Sequence, residues 1–372
     1  MKNYITFLLL LITCFITASA QKNETFTPAS SESFNYSGRV DIENEQANFN
    51  WPGVTVSTIF SGNKLGVRIK GGNQNYFNVW VDENSVWVLY APVDSTYYYP
   101  EKLSRGKHGL QIVKRTEANM GMANFFGVVT TKGKKLDCPA EVNTRKLLFI
   151  GNSITCGYGT EGKDKTEHFK PATENCEKSY ATILARAFNA QYHLISHSGL
   201  GMVRNYGDTN KVSSWPMPTR LNYLFDNDST KQFDINSFRP DAVVINLGTN
   251  DFSTKPFPDE PDFVNAGIKL IGKIRSSFPG VKIFCISGPM INGLCYSDTK
   301  KMVESVCDEM NTKDVFFIGV PVDLLNSDND LGSDWHPSYR GQTKTANKIL
   351  PVMANVLNWS YSTLEIDAVL GN

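Results

Sequence analysis

The spacing of apolar residues along this chain changes character near residue 132. Before that point, short β-branched and aromatic runs recur at residues 54–60 (VTVSTIF), 64–70 (KLGVRIK), 76–81 (YFNVWV), 86–90 (VWVLY), 109–114 (GLQIVK) and 124–130 (NFFGVVT). Gly-Asn, Asp-Glu-Asn and Arg-Gly-Lys-His-Gly stand between them, the turn chemistry that joins short antiparallel strands. This spacing predicts an all-β sandwich over residues 34–131. Trp51, Trp80 and Trp87 fall in this part. A large indole on an alternating strand is expected in the core rather than facing a sugar.

Residues 132–145 (KGKKLDCPAEVNTR) are charged, carry Pro139 and read as a linker. Beyond them, apolar runs alternate with helical patterns over residues 146–372. The runs at 147–150 (LLFI), 192–196 (YHLIS), 242–247 (AVVINL), 281–286 (VKIFCI) and 315–320 (VFFIGV) are the strands of a sheet covered on both faces. Helical spacing is found at 179–189, which opens on a serine cap, and at 263–278, 299–310 and 342–359. Pro351 is expected to interrupt the last of these. Strands alternating with helices predict a three-layer α/β/α domain with a parallel sheet.

The beginning of the chain adds a compartment. Residues 1–20 have Lys2, an apolar stretch from Ile5 to Ile16, and Ala18-Ser19-Ala20 before Gln21. That is the pattern of a signal peptide cut near Ala20, too short for a membrane span. It predicts a secreted or periplasmic protein. A lipoprotein anchor through Cys14 competes, but Thr13 is bulkier than such sites accept. Residues 21–33 are polar and are expected to form a disordered leader. Export permits disulfides, and Cys156 with Cys176 would clip the loop after residue 153. Cys285 in an apolar strand and Cys307 on a helix read instead as free thiols, so the pairing of Cys138, Cys156, Cys176, Cys285, Cys295 and Cys307 stays open. No Cys-x-x-Cys or paired-histidine motif is present, so no metal is expected. The 37 basic and 37 acidic residues balance, which favours neither nucleic acid nor an anionic membrane as partner.

The candidate chemistry begins in residues 147–159, LLFIGNSITCGYG. An apolar strand stops at Gly151-Asn152, and Ser153 stands at its carboxyl end, where open α/β sheets bind ligands. By itself this is equally an ordinary turn serine. Three further stretches fall in comparable places: His197-Ser198-Gly199-Leu200-Gly201 after the second strand, Gly248-Thr249-Asn250-Asp251 after the third, and Ser333-Asp334-Trp335-His336-Pro337 before the last helix. A serine hydroxyl is a poor nucleophile until a base takes its proton, and His336 is the candidate base. The oxyanion formed by attack needs donors. The N–H groups of Ser153 and Gly199 and the Asn250 side chain would supply them, at about 3 kcal/mol each. Asp334 is the candidate to orient the histidine. Each stretch alone is a turn or a surface histidine, but all four in this order point to a serine esterase.

These blocks, GNS, SGLG, GTND and DWHP, resemble those of the SGNH (GDSL-type) hydrolase superfamily. Trp51-Pro52-Gly53, Cys156-Gly157-Tyr158-Gly159-Thr160-Glu161, Glu174-Asn175 and Gly288-Pro289-Met290 extend the resemblance to carbohydrate esterase family 2. Members of that family place a jelly-roll-like sandwich before an SGNH domain and remove acetyl groups from polysaccharides and glycosides. The resemblance spans essentially the mature chain. It implies a secreted acetylesterase acting through an acyl-enzyme on acetylated polysaccharide or oligosaccharide such as xylan or glucomannan. A monomer is expected, and the chemistry of these residues calls for no metal or organic cofactor.

Two departures from the superfamily pattern stand out. Asn152 replaces the usual Asp before the serine, and Ser333 occupies the usual triad position three residues before the histidine. Asp334 is only two residues before it. The family includes members that work as a Ser–His dyad with a backbone carbonyl orienting the histidine. Trp335 and Trp215 could stack on sugar rings or pack between domains. The rival functions are a lipase or other esterase on the same blocks, and a carbohydrate-binding protein with weak activity. No apolar run near Ser153 announces an acyl tunnel, and the presence of both Ser153 and His336 speaks against pure binding.

Overall fold

In the computed structural model, which describes residues 23–82, 86–140, 144–291 and 293–371, the first half of the chain forms two antiparallel sheets. One holds β1 (Glu24–Pro28), β3 (Asp41–Glu43), β4 (Gln46–Phe49), β6 (Leu65–Lys70), β9 (Ser95–Tyr98) and β11 (Ala123–Thr131). The other holds β2 (Asn35–Ser37), β5 (Thr55–Ser61), β7 (Tyr76–Val81), β8 (Trp87–Tyr90) and β10 (Lys107–Lys114). Alternation does the sorting. Along β10, Leu110 and Ile112 enter the core while Lys107, Gly109 and Gln111 stay exposed. Trp51 is fully buried, whereas Trp80 and Trp87 are half-buried.

The polar stretch expected to be a disordered leader is corrected here. Its residues 24–28 are β1, paired antiparallel with residues 127–131 of β11. Backbone bonds rather than apolar side chains hold it, which is why no hydrophobic alternation announces it. Gly127, at φ +140°, makes the approach possible, since a Cβ there would stand 2.0 Å from the Thr27 carbonyl oxygen. The signal peptide, Cys14 and residues 141–143 of the linker lie outside the described residues.

The second half is built on a parallel sheet of β12 (Arg145–Gly151), β13 (Ala190–Ser196), β16 (Ala242–Asn246), β17 (Lys282–Ser287) and β18 (Val315–Gly319), in the order β13-β12-β16-β17-β18. A small hairpin, β14 (Tyr223–Phe225) and β15 (Asp228–Gln232), lies apart from it. The helices are α1 (Ser153–Cys156), α2 (Tyr180–Ala187), α3 (Glu260–Ser277), α4 (Gly293–Glu309), α5 (Tyr339–Leu357) and α6 (Leu364–Leu370). Leu147 and Phe149 of β12 share a core with Ile183, Ile349, Met353 and Ile366 of α2, α5 and α6. Leu148 and Ile150 share the opposite core with Phe263, Leu270, Met302 and Val306 of α3 and α4. Pro351 does not break α5. It sits on the exposed face, where water can serve the backbone groups a proline frees.

Strand β12 is flanked by β13 on one side and β16 on the other, so the chain runs one way into β13 and then crosses back past β12 to β16. The crevice this opens at the carboxyl ends is where such sheets bind ligands. The sandwich packs on the β13 side through polar contacts. Arg39, almost wholly buried, donates to the carbonyls of Leu221 (2.6 Å) and Tyr223 (2.5 Å), and Trp51 Nε1 donates to Leu224 O at 3.0 Å. The Gly38 N–H donates to His193 Nε2 at 2.9 Å, which requires a neutral ring; burial pushes that imidazole down to about 3.

Candidate active site

Strand β12 ends at Gly151, and Asn152 caps the helical turn that follows, its side-chain oxygen accepting from Ile154 N at 3.1 Å. An asparagine oxygen is a sufficient acceptor for this cap, so the replacement of Asp leaves it intact. Ser153 is therefore the first residue of α1 and is held at the crevice, 6% exposed.

Its hydroxyl lies 2.9 Å from His336 Nε2, and His336 Nδ1 lies 3.1 Å from the main-chain oxygen of Asp334. A proton on Nδ1 donated to that carbonyl leaves Nε2 as the acceptor for the serine proton. The loop achieves this with two successive left-handed residues, Asp334 at φ 49° and Trp335 at φ 65°, which curl the 334 carbonyl back beneath the ring. Tyr158 packs on the imidazole with centroids 4.1 Å apart and is itself stacked on Phe169 at 4.1 Å. Burial pushes His336 down to about 4, against the opposing pull of Asp334.

The Asp334 carboxylate does not reach the ring, which corrects the triad expectation. It accepts from Tyr158 Oη at 2.9 Å and Phe169 N at 2.9 Å, and lies 3.0 Å from His168 Nδ1. Burial raises this acid, but the bonds from His168, Phe169 and Tyr158 outweigh it and hold the carboxyl below its usual range. The orienting group is the peptide oxygen, set by backbone conformation, with the side chain fastening the loop.

The opposite wall is the loop after β13. Gly199 takes φ +81°, and Asn250, after β16, donates from Nδ2 to the Leu200 carbonyl at 2.8 Å. A carboxamide carries a second N–H on the same nitrogen, available to a developing oxyanion. Asp251, fully buried, accepts from the N–H groups of Met202 (2.9 Å), Val203 (2.7 Å) and Arg204 (2.9 Å). Gly201 must lack a side chain, because a Cβ there would stand 2.5 Å from the Asp251 carboxylate.

The structure thus brings Ser153 directly to His336, and Asn250 to the residue after Gly199. Trp335 and Trp215 are 56% and 61% exposed, so neither packs between the domains. Lys165 Nζ lies 4.6 Å over the Trp335 ring. None of the six described cysteines is in a disulfide; the Cys156 thiol faces Ser196 Oγ at 3.2 Å rather than Cys176. Tyr158, Phe169 and the clamp by Asp251 escaped sequence reasoning, although Tyr158 and Asp251 lie within stretches it singled out. His197, which opens one of those stretches, is paired through Nδ1 with buried Asp226 at 2.9 Å, and no motif marks Asp226.

Residues 36–139 match the family model described as carbohydrate esterase 2 N-terminal, and residues 149–344 match the GDSL-like lipase/acylhydrolase family. The chain is 37% identical over 331 residues to the cellulase/esterase CelE of Acetivibrio thermocellus, covering 87% of this chain and 39% of that protein. The chain thus spans about two fifths of the length of that curated relative. It is 24% identical over 361 residues to an acetylxylan esterase / glucomannan deacetylase of Cellvibrio japonicus, covering 94% of this chain and 96% of that protein. Among solved structures, a family two carbohydrate esterase from Clostridium thermocellum in complex with cellohexaose superposes with a TM-score of 0.80. That structure is 36% identical, with 88% of this chain and 99% of that one covered.

Proposed function

The chain belongs to carbohydrate esterase family 2, a branch of the SGNH hydrolases, and on that premise we propose that it removes O-acetyl groups from plant-type polysaccharides. The observation that carries this reading is the 2.9 Å contact of Ser153 Oγ with a His336 ring whose other nitrogen is bound to a peptide oxygen. His336 takes the Ser153 proton as the hydroxyl attacks the acetyl carbonyl. The N–H groups of Ser153 and Gly199 and the Asn250 amide hold the oxyanion. The tetrahedral adduct collapses to an acetyl-serine, and His336 returns the proton to the departing sugar oxygen. Water, deprotonated by the same ring, then releases acetate and restores the serine. The residues proposed for this chemistry need no metal or organic cofactor.

The names of the relatives support xylan or glucomannan as the polymer, and exposed Trp335, beside the base, offers a ring face for a sugar. Trp215 offers a second. The apolar segment before Ala20 supports export, and a monomer suffices because every proposed catalytic group lies in one chain.

The test is acetate release from 4-nitrophenyl acetate, acetylated xylan and acetylated glucomannan. Wild type is expected to act on all three, and Ser153→Ala and His336→Ala to lose at least about 10³-fold in kcat. A folded wild type that is inert on every ester yet retarded in a glycan affinity gel would make the crevice a binding site and overturn the proposal.

A further inference from the structure

We infer that Glu117, delivered from the β-sandwich, is a positioning residue for the oxyanion loop, so that the sandwich forms part of the catalytic frame. The inference rests on the esterase reading above. After β10 the chain leaves the sandwich as Lys114-Arg115-Thr116-Glu117, each residue no more than 1% exposed. Burying two cations and a carboxylate together is expensive unless each finds partners. They do. Lys114 Nζ donates to the carbonyls of Thr116 (2.7 Å) and Glu117 (2.8 Å). Arg115 Nε donates to Glu174 O at 2.8 Å, its guanidinium pairs with Glu161, and its own carbonyl accepts from Cys176 N at 2.9 Å. The turn is therefore fixed to the catalytic domain before Glu117 begins to act.

Glu117 then makes two connections. Its N–H donates to Glu174 Oε2 at 2.9 Å, and its own Oε2 accepts from the N–H of Ser198 at 2.7 Å. Ser198 directly precedes Gly199. The same oxygen lies 3.7 Å from the Cys156 thiol at the end of α1, the turn that Ser153 begins. One carboxylate thus bridges the oxyanion loop and the nucleophile's helix. Gly199 has no side chain with which to fix itself, so its N–H is aimed by what holds its neighbours. Asp251 holds residues 202–204 on one flank, and Glu117 holds residue 198 on the other. A hydrogen bond from a backbone N–H to a buried carboxylate is among the stronger kinds. Glu174 Oε1 is buried without a hydrogen-bond partner among the described residues, and burial together with the facing Glu117 pushes that acid well above its usual range.

The experiment compares full-length wild type, Glu117→Ala and Glu117→Gln on 4-nitrophenyl acetate, with rates expressed per folded molecule. Glu117→Ala is expected to lower kcat roughly 10- to 100-fold with KM within about twofold, the effect of a misplaced transition-state donor. Glu117→Gln keeps an oxygen for the Ser198 N–H and is expected to recover to within about fivefold of wild type. An unchanged kcat in folded Glu117→Ala, or a glutamine variant as impaired as the alanine one, overturns the inference. If Glu117→Ala does not fold, the Ser198 amide proton resonance decides. An upfield move in Glu117→Gln supports the contact, and an unmoved resonance refutes it. A wild type without esterase activity defeats the functional reading instead, and the Ser198 resonance still tests the contact.

Discussion

The loop that carries the proposed base and the loop proposed to supply the oxyanion donors are secured in opposite ways. The His336 loop is fastened locally. Its Asp334 carboxylate, a third exposed, collects Tyr158, His168 and Phe169, while the ring itself rests on a peptide oxygen and an aromatic face. The oxyanion loop is fastened from outside by two buried carboxylates, Asp251 after β16 and Glu117 from the other domain. The difference has an energetic consequence. Deleting a partly exposed acceptor lets water replace it, whereas deleting a buried one strands backbone donors at about 1–3 kcal/mol each. Mutations on the oxyanion side should therefore cost more than comparable changes around Asp334.

Beyond the serine and the histidine themselves, the largest effect is expected at Asn250. Asn250→Ala removes the proposed donor to the tetrahedral oxygen and the bond to Leu200 O together. Because that charge exists only in the transition state, kcat should fall about 10²- to 10³-fold with KM nearly unchanged. A raised KM at constant kcat would mean that Asn250 binds ground-state substrate, and the asymmetry between the loops would lose its main support.

A second, smaller effect separates the loops by pH. With His336 pushed down to about 4, the ring is neutral and able to take a proton throughout pH 5–7. The acid limb of kcat/KM should have its midpoint near 4, whereas a solvated imidazole would place it near 6.5. The same depression affects stability. Between pH 6.5 and about 4 the unfolded chain binds this proton before the folded one, so stability drops as pH falls, by about 1.4 kcal/mol per unit. Initial rates measured while circular dichroism shows folded protein keep the two effects apart.

What the sequence could disclose follows the same division. Buried strands and amphipathic helices declare themselves by period, and the predicted strands and helices fall within three residues of their observed bounds, except that α4 starts six residues before the predicted 299. Ser153, Gly199, Asn250 and His336 are visible because each occupies a short stretch whose place at a strand end is readable. Strand β1 is not visible, since its pairing uses backbone groups that every residue has. Nor is Glu117, 81 positions from the amide it holds, because the contact depends on how two domains meet. Proximity in sequence pointed instead to Asp334, whose side chain turns away while its carbonyl does the orienting.

The smallest effect tests that last distinction most sharply. Asp334→Asn keeps an acceptor oxygen for Tyr158 and Phe169 and suits the left-handed backbone at φ 49°, where asparagine is well tolerated. It should retain activity within about twofold of wild type. Asp334→Ala keeps the orienting carbonyl but loses the fastening bonds and strains the left-handed residue by about 1–2 kcal/mol. A drop of roughly fivefold, with a lowered thermal midpoint, is expected. In a serine triad, converting the orienting carboxylate to an amide costs about 10⁴-fold because the ring is held in the wrong tautomer. A loss of that size in Asp334→Asn would mean that the carboxylate swings to His336 during turnover and that the peptide oxygen does not suffice. Near-wild-type activity would establish that backbone conformation alone can hold a catalytic histidine, which frees the Asp334 side chain to fasten the loop.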